Sequence, residues 1–324
     1  MLTFADVCQV VSGKAGEAQA LASRLQRVNV TPRTVDVLQD LAKIEELCKW
    51  ADCVISLLPA SMHLPIAETC IRAGTPLVTA SYVSDDMQAL DSRARDAGVT
   101  ILCEMGLDPG MDHMSAMKMM DDAKRQGATI TSFASWCGGL PSPEAANNPL
   151  RYKFSWSPRG VLSAAQNSAR FLREGELVEV RGEELLASAE SVDFMQAFAF
   201  EALPNRDALK YAKLYSIPDA SSVYRGTLRY AGFSAIMKEI RDMGLLDPKP
   251  VELAGNLYPA TWTELMQSPA INSDVTISAQ TNNCLQWLGV WSDAHLERKR
   301  GWAGKKNEEK KQLILKTQFI SFLF

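Results

Sequence analysis

The chain has 324 residues, 47% of them hydrophobic and 22% charged, with a net charge of −4; at roughly 150 residues per domain this predicts about two globular domains. The slight acidic surplus argues against a nucleic-acid binder, whose contact face is basic, and no run of about 18 apolar residues predicts a membrane-crossing helix. Seven cysteines without a C-x-x-C pair are read as reduced, largely core thiols, Cys53 and Cys103 among them, so neither a disulfide framework nor a metal site is expected.

The first third alternates short apolar runs with helical patterns. A strand is predicted at Val7 to Val11 and a helix from about Gly16 to Arg27. A β-branched strand follows over Val30 to Val37, then a helix over Leu38 to Trp50. Cys53 to Leu58 reads as a continuous apolar strand closed by Pro59, and Ser61 to Ala73 as a helix stopped by Gly74. Pro76 to Ala80 is another strand, Asp85 to Ala97 a helix, and Val99 to Glu104 a fifth strand. Strands separated by helices of this length predict βαβ crossovers and a parallel sheet, and continuous apolar strands predict a sheet covered on both faces. A dinucleotide fold of this kind opens with a strand, a G-x-G-x-x-G loop and a helix. No such motif occurs, so the parallel sheet is expected to lack its first strand.

After a helix at about Asp112 to Gln126, Thr129 to Trp136 alternates as a strand does, and Tyr152 to Ser157 reads as a strand with one aromatic face. Residues 150 to 235 mix strands and loops. Helices are predicted at Phe233 to Met243, Trp262 to Gln267 and Thr281 to Leu288. From Ala294 the composition becomes basic, with Arg298, Lys299, Arg300, Lys305, Lys306, Lys310 and Lys311 in one short stretch.

Three places carry candidate chemistry. Ser12 and Lys14 sit at the tip of the first strand, where a dinucleotide fold meets the adenosine ribose. A basic residue without an acid there suits the 2′-phosphate of NADP better than NAD; the bland alternative, a plain turn with a solvated lysine, is about as common. Glu104 to His113 leaves a buried strand and enters a helix, at the edge of the sheet where α/β folds bind ligands. Asp108 is the polar group best placed there, although Asp108 or Asp112 could simply cap the helix. Arg206 and Arg229 lie in two polar elements, and guanidinium groups bind carboxylates in bidentate fashion; a surface ion pair is the commoner fate of any single arginine.

Several stretches together resemble the saccharopine dehydrogenase family of the glutamate-forming type, which also forms the C-terminal half of a bifunctional lysine-degradation protein. They are Val54-Ile55-Ser56-Leu57-Leu58-Pro59, Val78-Thr79-Ala80-Ser81-Tyr82-Val83, Gly106-Leu107-Asp108-Pro109-Gly110-Met111-Asp112-His113, Trp136-Cys137-Gly138-Gly139-Leu140-Pro141, residues 148–157, residues 203–207 and Arg225-Gly226-Thr227-Leu228-Arg229-Tyr230. The resemblance runs from about residue 7 to 293. It implies an α/β chain: a Rossmann-like parallel sheet lacking its first strand over 1–112, and part of a mixed α/β substrate domain over 113–232. A helical insertion over 233–293 and a divergent basic tail over 294–324 follow, and the chain is expected to be incomplete at both ends.

The activity implied is the interconversion of saccharopine with glutamate and 2-aminoadipate 6-semialdehyde, with NADP or NAD as cofactor. Cofactor contacts carried over by the resemblance fall on Ser12, Lys14, Asp36, Val37, Leu57, Leu58, Thr79, Ala80, Gly106, Leu107, Asp108 and Trp156. Substrate contacts fall on Ser81, Tyr82, Asp108, Arg206, Thr227, Leu228 and Arg229. No general base is identified beyond Asp108 as the best-placed candidate. A non-catalytic homologue without cofactor is the alternative, and a related enzyme making carboxynorspermidine is less well matched. No nucleic acid or membrane partner is expected, a homodimer is the candidate assembly, and the compartment expected is cytoplasmic, with mitochondrial as the alternative.

Overall fold

The computed structural model describes residues 8–25, 29–154, 158–246, 261–268 and 271–292. The chain divides into two compact units, Met1–Asp121 and Asp122–Phe324.

The first unit alternates strands and helices: β1 (Cys8–Ser12), α1 (Glu17–Arg24), β2 (Val30–Thr34), α2 (Leu41–Trp50), β3 (Val54–Ser56), α3 (His63–Ala73), β4 (Leu77–Thr79), α4 (Asp85–Gln88), α5 (Asp91–Asp96), β5 (Ile101–Leu102) and α6 (Met111–Arg125), the last crossing into the second unit. Short local signals set these boundaries. Asp40 caps α2 by accepting from the Lys43 amide, Ser84 caps α4 through the Met87 amide, and Gly74 ends α3 in the left-handed conformation, each satisfying backbone groups that a helix end leaves open. The single helix expected over 85–97 is instead two, with Leu90 turned into the core between them.

All five strands run parallel within their sheets, but in two sheets: β1 with β2, and β3 with β4 and β5. Val35 and Val37, just past β2, share one apolar cluster with Ile44 and Cys48 of α2, Ile66 and Cys70 of α3, and Leu77 of β4. Among the described residues β1 pairs only with β2, and β3 only with β4. The parallel sheet lacking a strand is therefore present as two parts around one core. The strand expected over Cys53 to Leu58 shrinks to three residues, and its apolar run is not buried: Ile55 is 70% exposed and Leu57 81%. Among the described residues β3 has a strand on one edge only, and Leu57 lies beyond its end. Cys53 is likewise exposed, not a core thiol.

The second unit is a mixed sheet with helices. It contains β6 (Ser132–Cys137), α7 (Pro158–Ala164), β7 (Ala169–Arg173), β8 (Glu176–Val180), β9 (Glu190–Val192), β10 (Phe200–Pro204), α8 (Lys210–Leu214), β11 (Ser222–Tyr230), α9 (Phe233–Asp242), α10 (Trp262–Met266) and α11 (Ala279–Trp287). The strand order is β8-β7-β11-β10-β9, with β6 parallel to β11. The core under this sheet joins Leu203, Phe233, Ile236, Met237 and Ile240 to Trp262, Leu285 and Leu288. Residues 152–154, expected as the start of a strand, pair with no sheet. Tyr152 and Phe154 are buried in the same core, edge to face at 5.0 Å, so ring packing replaces a backbone ladder. Trp156 and the basic stretch from Ala294 lie outside the described residues.

Candidate functional site

At the carboxyl ends of β3 and β4 the first unit gathers polar groups around a buried imidazole. His63, at the first position of α3, is 2% exposed. Its Nδ1 lies 3.0 Å from Ser56 Oγ; its Nε2 lies 2.8 Å from Ser81 Oγ and 3.0 Å from Thr79 Oγ1. Burial among these neutral hydroxyls holds the His63 pKa below the usual histidine range, because a charged ring would lose its water without gaining an anion. The segment after β4 is fixed from the other side as well: the Glu104 amide donates to Ser81 O and the Met105 amide to Thr79 O, both at 3.1 Å.

Residues 104–113 then fold over this edge. The Gly106 amide donates to Pro109 O at 2.9 Å and the Met111 amide returns to Gly106 O at 2.9 Å. This tight loop requires glycine. Gly110 has φ +150°, and a Cβ there would sit 2.1 Å from Gly106 O. Gly106 lies so close to Ala80 that its own Cβ would meet the Ala80 Cβ at 3.3 Å. The loop brings Asp108 to Tyr82, whose hydroxyl donates to Asp108 Oδ1 at 2.5 Å. Asp112 serves the same loop, accepting from the Gly110 amide at 2.7 Å. His113 lies 3.1 Å from Glu104 Oε2, a partnered residue one turn inside the helix.

The other end of the carboxyl edge lies where β1 meets the segment after β2. The Val35 amide donates to Ser12 O at 3.0 Å, and a Cβ on Gly13 would stand 3.6 Å from Asp36 Cα. Ser12, Lys14 and Asp36 are thus neighbours. Ser12 donates to Glu17 through a short contact, and Asp36 accepts from the Leu38 amide at 2.9 Å. Lys14 is exposed and forms no ion pair among the described residues, but the tip is not free of acids as the sequence reading expects: Glu17 and Asp36 both stand beside it. These residues fit the adenosine end of a dinucleotide, and the close backbone approach at Gly106 and Ala80 fits a flat ring laid over the end of β4. Of the other expected contacts, Leu57 and Leu107 are exposed, while Val37 and Leu58 pack into the core cluster and could offer only backbone.

In the second unit, β11 places Arg225, Thr227 and Arg229 on one face by the two-residue repeat of a strand. Arg229 is 7% exposed. Its guanidinium lies 4.7 Å over the Tyr152 ring and 5.3 Å from that of Phe233, and its Nη1 donates to Leu228 O at 2.7 Å. Its Nε is buried and has no hydrogen-bond partner among the described residues. Burial lowers the Arg229 pKa from the arginine range, opposed by neighbours that include Glu201, which lies directly across the strand pair. Arg229, Thr227, Arg206 and Asn205 line one small cavity of about 20 Å³. Arg206 is exposed, in the left-handed conformation at φ +53°. Leu228 faces the other way, its backbone so close to Gly138 that a Cβ there would meet Leu228 O at 2.2 Å.

Within the first unit, then, two groups form: Ser12, Lys14 and Asp36, and Thr79, Ala80, Ser81, Tyr82, Gly106 and Asp108. The second unit brings Arg206, Thr227 and Arg229 together. Sequence reasoning missed His63 as the hub under residues 79–81, and the only signal for it was a histidine at the mouth of an otherwise apolar helix. It also gave no sign that Arg229 packs on the paired rings of Tyr152 and Phe233, whose centroids are 5.4 Å apart, since Tyr152 comes from a distant segment.

Residues 4–102 match the family model described as the saccharopine dehydrogenase NADP binding domain, and residues 106–319 that of the saccharopine dehydrogenase C-terminal domain. The chain is 41% identical over 281 residues to a saccharopine dehydrogenase (NADP+, L-glutamate-forming) of Pyricularia oryzae, covering 81% of this chain and 62% of that protein. It is 47% identical over 241 residues to an alpha-aminoadipic semialdehyde synthase of Arabidopsis thaliana, covering 72% of this chain and 23% of that protein. The chain thus spans less than two thirds of the length of these curated relatives. The apo saccharopine dehydrogenase (L-Glu forming) of Saccharomyces cerevisiae superposes with a TM-score of 0.77 at 32% identity, over 98% of this chain and 77% of that one. Two family models in tandem, the identities and the shared structure agree: the chain belongs to the saccharopine dehydrogenase family.

Proposed function

We propose that the chain forms the cofactor-facing and carboxylate-holding parts of an oxidoreductase that interconverts saccharopine with glutamate and 2-aminoadipate 6-semialdehyde using NADP. The observation that carries this reading is Arg229, a buried guanidinium beside Arg206 and Thr227 whose Nε has no partner among the described residues. Saccharopine has three carboxylates, and a desolvated guanidinium is the strongest carboxylate ligand a side chain supplies. Arg229 is held by Tyr152, Phe233 and Leu228 O before any substrate arrives, so little ordering remains to be done on binding.

Bound NADP would supply the hydride acceptor, held by Lys14 and Ser12 at its 2′-phosphate end and by residues 79–80 and 106–108 at its nicotinamide end. Oxidation would remove a hydride from the methylene on the lysine side of the secondary amine and a proton from its nitrogen; water would then add to the imine carbon, and C–N cleavage would release glutamate and leave the aldehyde. On this reading Asp108 would take that proton, and the Tyr82 hydroxyl, which donates to it at 2.5 Å, would orient it. Asp108 and Tyr82 hold and move the proton, and the arginines hold the carboxylates. The substrate is the small molecule alone, with a homodimer as the proposed assembly and the cytoplasm, or otherwise the mitochondrion, as its place. Among the described residues no helix is long and apolar enough to cross a membrane.

A second reading is favoured by one observation: these 324 residues contain no G-x-G-x-x-G, the loop that cradles the pyrophosphate at a helix N-terminus. On that reading the chain keeps the substrate residues but holds cofactor poorly. Fluorescence titration with NADPH and saccharopine-dependent NADPH formation separate the two. Turnover supports the first reading. Saccharopine binding with no NADPH saturation in the low micromolar range supports the second, and loss of both refutes the substrate assignment.

A further inference from the structure

We propose that His63 is a positioning residue that fixes the hydroxyls of Ser81 and Thr79 at the substrate-facing end of β4. The inference rests on the reading of residues 79–82 as substrate- and cofactor-facing, and extends it to a side chain that touches neither. Burying an imidazole costs free energy unless its nitrogens are partnered, and an apolar residue would fill the start of α3 without that cost. The turn Ala60–Met62 that precedes α3 nonetheless directs His63 inward, where both nitrogens are engaged.

The network has a direction. Ser56 and Thr79 are buried, and each reaches the ring from a strand end. Ser81 is only half-buried, so of the three residues on the ring it is the one in reach of the surface. A network that served packing alone would close on itself, whereas this one opens at Ser81. The neutral ring carries one N–H and one lone pair. Ser81 Oγ therefore meets a fixed polarity at Nε2 and presents the complementary one outward. The backbone of the same segment is held independently by the Glu104 and Met105 amides, so loss of the imidazole should free the Ser81 side chain more than it moves the chain.

The test uses the full chain with His63→Leu, His63→Gln, Ser81→Ala and the His63→Leu/Ser81→Ala double variant, read by saccharopine titration calorimetry and by ¹⁵N shifts of the imidazole. His63→Leu and Ser81→Ala should each weaken saccharopine on the order of tenfold, the loss of one hydrogen bond, and the double variant should be no weaker than either. His63→Gln, whose amide can still reach a hydroxyl, should recover part of the affinity. Ser81→Ala should also shift the Nε2 signal of His63. Fully multiplicative losses, or unchanged affinity in a His63→Leu chain that only melts lower, would overturn the proposal. If His63→Leu does not fold, His63→Gln and Ser81→Ala carry the comparison. A wild-type chain that binds no saccharopine refutes the functional reading instead, and the ring shifts then decide for His63: an Nε2 signal unmoved by Ser81→Ala overturns the network.

Discussion

Replacing Arg229 by methionine separates holding a carboxylate from holding the fold. The substitution removes a charged donor to Leu228 O, about 1.5–3 kcal/mol. It also removes two contacts with aromatic faces, each about 0.5–2 kcal/mol. Against this it relieves the desolvation of a guanidinium that is 7% exposed and whose Nε has no partner among the described residues, a penalty of several kcal/mol for a buried ion. Methionine keeps much of the volume against Tyr152 and Phe233. The opposing effects nearly cancel, so stability should change by no more than about 2 kcal/mol in either direction, or roughly 8 °C in melting temperature for a domain of this size. Saccharopine has no such compensation: it loses a charge-assisted contact worth about 1.5–3 kcal/mol, or about 10- to 150-fold in affinity. Thermal melts and saccharopine titrations on the same preparations measure both. A folded Arg229→Met chain that binds saccharopine as tightly as the parent would refute the carboxylate assignment. A melting temperature lower by far more than about 8 °C would show the guanidinium to be structural.

Arg206→Ala should weaken saccharopine, by about 1.5 kcal/mol or more, with no measurable change in melting temperature, because the side chain is exposed. Gly110→Ala should lower stability by about 2 kcal/mol or more in denaturant titration, since the new Cβ meets Gly106 O at 2.1 Å and the backbone sits at φ +150°. Ser84→Ala, which removes the cap on α4, should cost about 1 kcal/mol by the same titration. The depressed pKa of His63 has a definite sign: the unfolded chain takes up its proton below about pH 6.5 while the folded one does not. This contribution is therefore complete above pH 6.5 and declines as the pH falls from there toward the lower folded value. Urea melts of the parent and His63→Gln at pH 7.5 and 5.5 should show a smaller loss in the variant, and equal losses would contradict a neutral buried ring.

The alternation of strands and helices over the first hundred residues was legible because several helices carry a local cap or stop: Asp40 on α2, Ser84 on α4 and Gly74 after α3. Those signals are local, and burial is not. Cys53 to Leu58 has the composition of a strand covered on both faces, yet composition records only what a segment can bury: Ile55 and Leu57 stand exposed, Leu57 beyond the end of a strand that pairs, among the described residues, with β4 alone. The same distinction explains the site. Arg206 and Arg229 were legible as guanidinium groups in two polar elements, Thr227 only through the family resemblance, and Gly106 to Asp112 through glycines at a strand end. What holds them was not: Tyr152 and Phe233 reach Arg229 from segments some eighty residues apart in the chain, and Ser56, Thr79 and Ser81 converge on His63 from two strand ends and a helix start. Side chains that recognise a ligand tend to be polar residues in apolar or glycine-rich settings, which a sequence displays. The side chains that orient them are chosen by distance after folding. For that reason a site read from sequence alone is most complete where one strand or loop supplies it, and least complete where the supporting contacts cross elements.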